Sequence, residues 1–178
     1  IKKKYGKILL VFPNHSTPEV SQSFKVEEFI NKINDIKNKY YYDNVFVSLF
    51  WLDIVNGNYK RYEKEGYIVV TSGVRNDPHF LKRQRDLIEL SDMTMSNNLG
   101  THIGYCISLE RPHYLFLQDI EITNVYIKYN EHSDFTRLSK INNEKIIFSE
   151  TFNNTEPVIT TTQRNIVEYY WGKKLDIK

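Results

Sequence analysis

The chain has 178 residues, of which 24 are basic and 22 acidic, a formal net charge of +2, and 40% are hydrophobic. That length suits one domain able to bury its own core without disulfides or metals, and the composition excludes a disordered chain. No stretch concentrates the small basic excess, so the footprint expected of a polyanion binder is missing and nucleic acid is not the expected partner.

The longest apolar runs, Ile8 to Pro13 and Val45 to Leu52, have the length of strands and not of bilayer spans, so no transmembrane segment is predicted. The single cysteine, Cys106, has no internal partner for a disulfide and sits in an apolar context that suits packing. With no secretory leader pattern ahead of the first strand, these features predict a cytoplasmic protein. The chain opens at Ile1 and a strand pattern begins at Lys7, which predicts a fragment of a two-domain protein.

Strand signals recur at Lys7 to Phe12, Asn44 to Trp51, Gly66 to Ser72, Asp92 to Ser96 and His113 to Gln118. Helical periodicity separates them. From Phe24 to Tyr40, Val26, Phe29, Ile30, Ile33, Ile36 and Tyr40 trace one face, and charged or amide residues fill the other. A brief helix is predicted over Tyr59 to Glu65, ended by Gly66. Asp77 reads as an N-cap, with Pro78 at the first helical position of a helix running to Leu90. Another helix is predicted from Leu99 to just before Arg111-Pro112.

Alternating strands and helices with near-continuous apolar strands predict a parallel sheet covered on both faces. The expectation is one Rossmann-like three-layer α/β domain over residues 1–178, with a mostly parallel sheet of five or six strands and its βα core at 7–118. Residues 119–157 are polar and asparagine-rich, with one helix predicted around Asn143 to Phe152. The end of the chain recovers a pattern: Thr160 and Gln163 have capping-box spacing, Ile166, Val167 and Tyr170 form an apolar face, and Gly172 follows the last turn.

In such sheets ligands bind beyond the carboxyl ends of the strands, so the βα loops carry the candidate residues. The first loop offers Asn14, His15, Ser16 and Thr17, whose side chains suit phosphate oxygens and equally suit a turn that satisfies its own backbone. The third offers Ser72, Gly73 and Arg75: a glycine allowing close backbone approach, or simply a turn, and an arginine able to pair with phosphate. Arg83 and Arg85 read as a solvated helix face.

The fourth loop carries the strongest pattern, Ser96-Asn97-Asn98-Leu99-Gly100-Thr101-His102. A strand ending in small polar residues and a helix opening through Gly100 and Thr101 put unpaired N–H groups at the ligand edge, and Gly100 removes a Cβ that would block a phosphate. A capped helix with two packing glycines, Gly100 and Gly104, explains the same residues. Asp53 reads as a solvated loop carboxylate. His79, His113 and His132 lack metal-ligand spacing, and one cysteine makes no zinc cluster, so no metal is expected. G-x-G-x-x-G, G-x-x-x-x-G-K and G-x-S-x-G motifs do not occur.

The segment Ser91-Asp92-Met93-Thr94-Met95-Ser96-Asn97-Asn98-Leu99-Gly100-Thr101-His102-Ile103-Gly104-Tyr105, followed by Arg111-Pro112-His113-Tyr114, resembles the carboxyl-terminal half of GT-B glycosyltransferases of bacterial capsule and surface polysaccharide synthesis. The resemblance covers about Lys7 to Gln118. It implies a donor-binding domain whose substrate is a nucleotide sugar, with no further cofactor, and a partner amino-terminal acceptor domain outside this chain. It implies that Ser96, Asn97, Gly100 and Thr101 contact the donor phosphates, with His15 and Ser16 across the cleft. One departure stands out: Gly104 and Tyr105 occupy the places where many members carry a donor-binding glutamate, which favours a cytidine donor or a non-catalytic variant. The competing expectation is a non-catalytic α/β interaction or regulatory module.

Overall fold

The structure, a computed structural model, describes residues 2–18, 20–123 and 142–172. In chain order its elements are α1 (Lys2–Tyr5), β1 (Ile8–Phe12), β2 (Ser21–Ser23), α2 (Val26–Tyr40), β3 (Asn44–Ser48), α3 (Trp51–Val55), α4 (Lys60–Glu63), β4 (Ile68–Val70), α5 (Phe80–Leu90), β5 (Met93–Ser96), α6 (His102–Ser108), β6 (His113–Leu115), β7 (Glu121–Thr123), α7 (142–151) and α8 (Thr161–Trp171). Five strands form one sheet in the order β4-β3-β1-β5-β6, and every pairing in it is parallel. The expected three-layer Rossmann-like α/β architecture is therefore the observed one.

Strand β1 lies at the centre, with Leu9 opposite Val45 on one side and Met93 on the other, and all five of its residues are buried. Burial on both faces explains its continuous apolar run. Leu9, Val11, Val45, Val47, Met93 and Met95 meet Phe29, Ile30, Ile33 and Ile36 of α2. On the opposite face Ile8, Leu10, Phe12 and Phe46 meet Ile88 of α5 and Cys106 of α6. Cys106 is fully buried, as its context predicts, and burial pushes its thiol up to about 12.

A third cluster lies beside the sheet, where Ile103 and Ile107 of α6 and Leu115 of β6 pack on Phe148, Phe152 and Val167. The capping box of α8 forms as its sequence predicts: Gln163 N donates to Thr160 Oγ1 at 3.2 Å and Thr160 N to Gln163 Oε1 at 2.9 Å. The same Gln163 donates from Nε2 to Thr151 O, hooking α8 to α7. At the sheet edge, Leu115 N donates to Phe152 O, so the outer side of β6 is covered at that position.

Several boundaries differ from the sequence expectations. The second strand of the sheet ends at Ser48 and not Trp51, because Trp51 to Val55 turn into α3. Pro78 precedes α5 in a turn, since Asp77 O accepts from Phe80 N and Asp77 Oδ1 from His79 N, leaving His79 as the cap. A two-stranded antiparallel ribbon of β2 with β7, pairing Gln22 with Ile122, has no counterpart among the predicted elements. His132 and the rest of 124–141 lie outside the described residues. No helix among the described residues is long and apolar enough to cross a membrane.

Candidate functional site

The sheet order reverses between β1 and β5: from β1 the chain moves outward through β3 and β4, then returns to the other side of β1. Loops leaving adjacent strands toward opposite sheet halves part at that point and open a crevice. A cleft of about 560 Å³ lies there, bounded by the loops after β1, β3, β4 and β5. Of the expected residues, Asn14, His15, Thr17, Ser72, Gly73, Arg75, Asn98, Gly100, Thr101 and His102 all line it. Its lining includes no carboxylate among the described residues, and Arg75 is its one guanidinium.

Three expected residues stand elsewhere. Ser96 and Asn97 are fully buried, facing inward. Ser96 Oγ lies 3.0 Å from both Asn98 O and His113 Nε2, and His113 Nδ1 lies 2.8 Å from Thr94 Oγ1. Thr94 Oγ1 donates to Pro112 O at 3.1 Å and Ser96 Oγ donates to Asn98 O, so the His113 ring is held between two hydroxyls that are each hydrogen-bonded to a backbone carbonyl. Asn97 Oδ1 accepts from Asn14 N at 2.6 Å while its Nδ2 donates to Gln118 Oε1 at 3.0 Å. Both residues shape the loop from behind. Ser16 is also engaged, because its hydroxyl accepts from Gln22 N and donates to Gln22 O, and it borders a separate hollow.

What remains at the rim is specific. The amides of Gly100, Thr101 and His102 reach no acceptor among the described residues, whereas Leu99 N is taken by Asn98 Oδ1 and Ile103 N by Gly100 O. A Cβ at Gly100 would lie 2.6 Å from Nδ1 and Cε1 of His102, so this glycine makes room for that ring. The ring stacks on Phe12 with centroids 4.9 Å apart. Its Nε2 is sealed and has no partner among the described residues, which leaves Nδ1 as the nitrogen able to meet a ligand. Burial, ahead of the nearby His15, holds His102 down to about 4, and burial holds His113 well below the ordinary range, so both rings are neutral at pH 7.

Gly73 adopts φ +84°, the left-handed region open to glycine, with the Arg83 guanidinium lying where a Cβ would point. Arg83 donates from Nε to Ser72 O at 2.9 Å and pairs with Asp77 at 2.6 Å. It braces the loop, a role its place on a helix face does not reveal. Arg75, by contrast, is exposed and makes no hydrogen bond or ion pair among the described residues.

Asp53 is not a solvated loop residue. It lies on α3, half-buried, with Oδ1 accepting from Asn58 Nδ2 at 3.0 Å and Oδ2 sealed without a partner among the described residues; burial raises its carboxyl above the usual range. Gly104 packs against α8, where a Cβ on it would lie 2.6 Å from Trp171 Cδ2, and Tyr105 borders the cleft. Compared with family models, curated proteins and solved structures, the chain matches none.

Proposed function

We propose that the cleft binds the phosphates of a nucleotide sugar, making the chain the donor-binding domain of a glycosyltransferase-like protein of cell-surface polysaccharide synthesis. One observation carries the reading: among the described residues, three consecutive amides without an acceptor, at Gly100, Thr101 and His102, share with Arg75, which has no partner there, a cleft that no carboxylate lines, at the switch point of the sheet. Backbone N–H groups and a guanidinium suit phosphate oxygens, and the fixed backbone amides need no reorganisation when charge builds on a departing nucleotide. Asn98 and Thr101 add side-chain donors, and Nδ1 of His102 is the ring nitrogen left to meet a ligand. The resemblance of Ser91 to Tyr114 to the donor half of GT-B enzymes supplies the sugar-nucleotide class.

Thermal unfolding in the presence of UDP, CMP and their sugar conjugates tests this. A ligand at about 100 times its dissociation constant adds roughly 2.7 kcal/mol of stability, an easily read upward shift. Indifference to every nucleotide would remove the reading and favour the interaction module.

A further inference from the structure

The imidazole of His15 is built differently from the groups around the amide rim. Its ring lies nearly parallel to Phe50, with centroids 4.4 Å apart and planes 20° from each other. Its Nδ1 donates to Ser16 O at 3.1 Å, because a carbonyl oxygen only accepts. Phe50 caps α3 in an extended conformation, so the ring beneath His15 is anchored by the start of a helix. Two contacts thus fix the plane of a side chain that is nonetheless exposed in the cleft.

That arrangement offers a phosphate little: Nδ1 is already engaged with Ser16 O, which leaves Nε2 as the one ring nitrogen for a ligand. One π-face is covered by Phe50, and the ring is otherwise exposed in the cleft. Phe80 and Leu81 of α5 add apolar surface to the same cleft, with Leu81 61% exposed, and Gln84 adds a side-chain amide. A flat, rigid, half-covered ring beside apolar walls is a platform for a planar heteroaromatic group, which stacks without demanding a particular hydrogen-bond pattern.

We infer that the face of His15 away from Phe50 stacks the nucleobase of the ligand, so that His15 reads the base while the Gly100 to His102 amides and Arg75 hold the phosphate. This rests on the nucleotide reading of the cleft and reassigns His15 from phosphate to base.

The test compares CMP and UMP with ribose 5-phosphate, which lacks the base, by calorimetric titration of the full chain. His15→Ala is expected to weaken whichever nucleotide binds by about tenfold and to leave ribose 5-phosphate unchanged, while His15→Phe retains nucleotide affinity within about twofold. Equal weakening of nucleotide and ribose 5-phosphate by His15→Ala would overturn the inference in favour of a phosphate contact, as would loss of nucleotide binding in His15→Phe with its circular dichroism unchanged. Nucleotide binding that ignores His15→Ala overturns the stacking alone. Absence of any nucleotide binding in the unmodified chain overturns the cleft assignment beneath it.

Discussion

Asn98 donates from Nδ2 to Asn14 Oδ1 at 2.8 Å, joining two loops 84 residues apart in the chain that leave the neighbouring strands β5 and β1 at the same sheet edge. Asn97 doubles the link by accepting from Asn14 N, and Asn14 Nδ2 passes it on to Gln22 Oε1. Asn14, Asn97 and Asn98 thus form a chain of amide side chains that each donate and accept, and the distance between the two loops is set before any ligand arrives.

Asn97→Ala removes the acceptor for Asn14 N and the donor for Gln118 Oε1 from a fully buried position. Leaving such groups unsatisfied is expected to cost about 1 to 3 kcal/mol in urea unfolding. A loss below about 0.5 kcal/mol, the ordinary range for surface changes, would contradict the clamp.

Arg75 and Arg83 should separate cleanly. Arg75→Ala touches no partner among the described residues and is expected to leave the unfolding midpoint in place while weakening nucleotide binding roughly 10- to 100-fold, the worth of a charge-assisted hydrogen bond. Arg83→Ala loses Ser72 O and Asp77 and is expected to lower stability first. Equal effects of the two on binding, in titrations of folded protein, would erase the distinction.

Burial holds the folded-state pKa of both His102 and His113 below that of the unfolded chain. The unfolded state therefore takes up protons that the folded state refuses. Stability is fully present above about pH 6.5 and falls as the pH drops toward 4, by up to about 1.4 kcal/mol per pH unit for each proton. Urea midpoints at pH 7.5, 6 and 5 check the sign, and His113→Gln should flatten the slope even though it lowers stability at pH 7.5. A midpoint that rises on acidification to pH 5 would contradict the buried neutral pair.

Gly104→Ala would place a methyl 2.6 Å from Trp171 Cδ2, so the indole must move off α6. Overpacking of this kind costs about 1 to 3 kcal/mol, and the displaced indole should shift its fluorescence to the red. Adding Trp171→Ala should recover part of the loss, a non-additivity that marks direct contact. Unchanged emission and midpoint would show that α8 does not seat there.

The sheet is legible in the sequence because its signal is redundant: apolar runs such as Ile8 to Phe12, helical stripes such as Phe29, Ile30, Ile33 and Ile36, and their alternation each point to a covered parallel sheet. The capping box at Thr160 is legible because its two partners lie three residues apart. The ribbon of β2 and β7 is not, since Ser21 to Ser23 and Glu121 to Thr123 are three-residue, largely exposed strands with no apolar alternation to detect. Cleft membership follows from strand ends, which is why Asn14, Arg75 and Thr101 stand out. The direction each side chain takes there does not. Ser96 turns inward because His113, 17 residues on, offers it a ring nitrogen, and Gly104 is a glycine because Trp171 arrives from α8. Such reasons lie in tertiary neighbours, not in local pattern.

Capture of a phosphate by the amides of Gly100, Thr101 and His102 is the step on which the proposed function depends. Titrating the ¹⁵N-labelled chain with CMP and UDP while following backbone amide resonances measures it directly. Saturable downfield shifts concentrated on those three amides, with smaller changes at Gly73 to Arg75, are the expected result. Saturation with those three resonances unmoved, or no shift anywhere up to millimolar nucleotide, would contradict it.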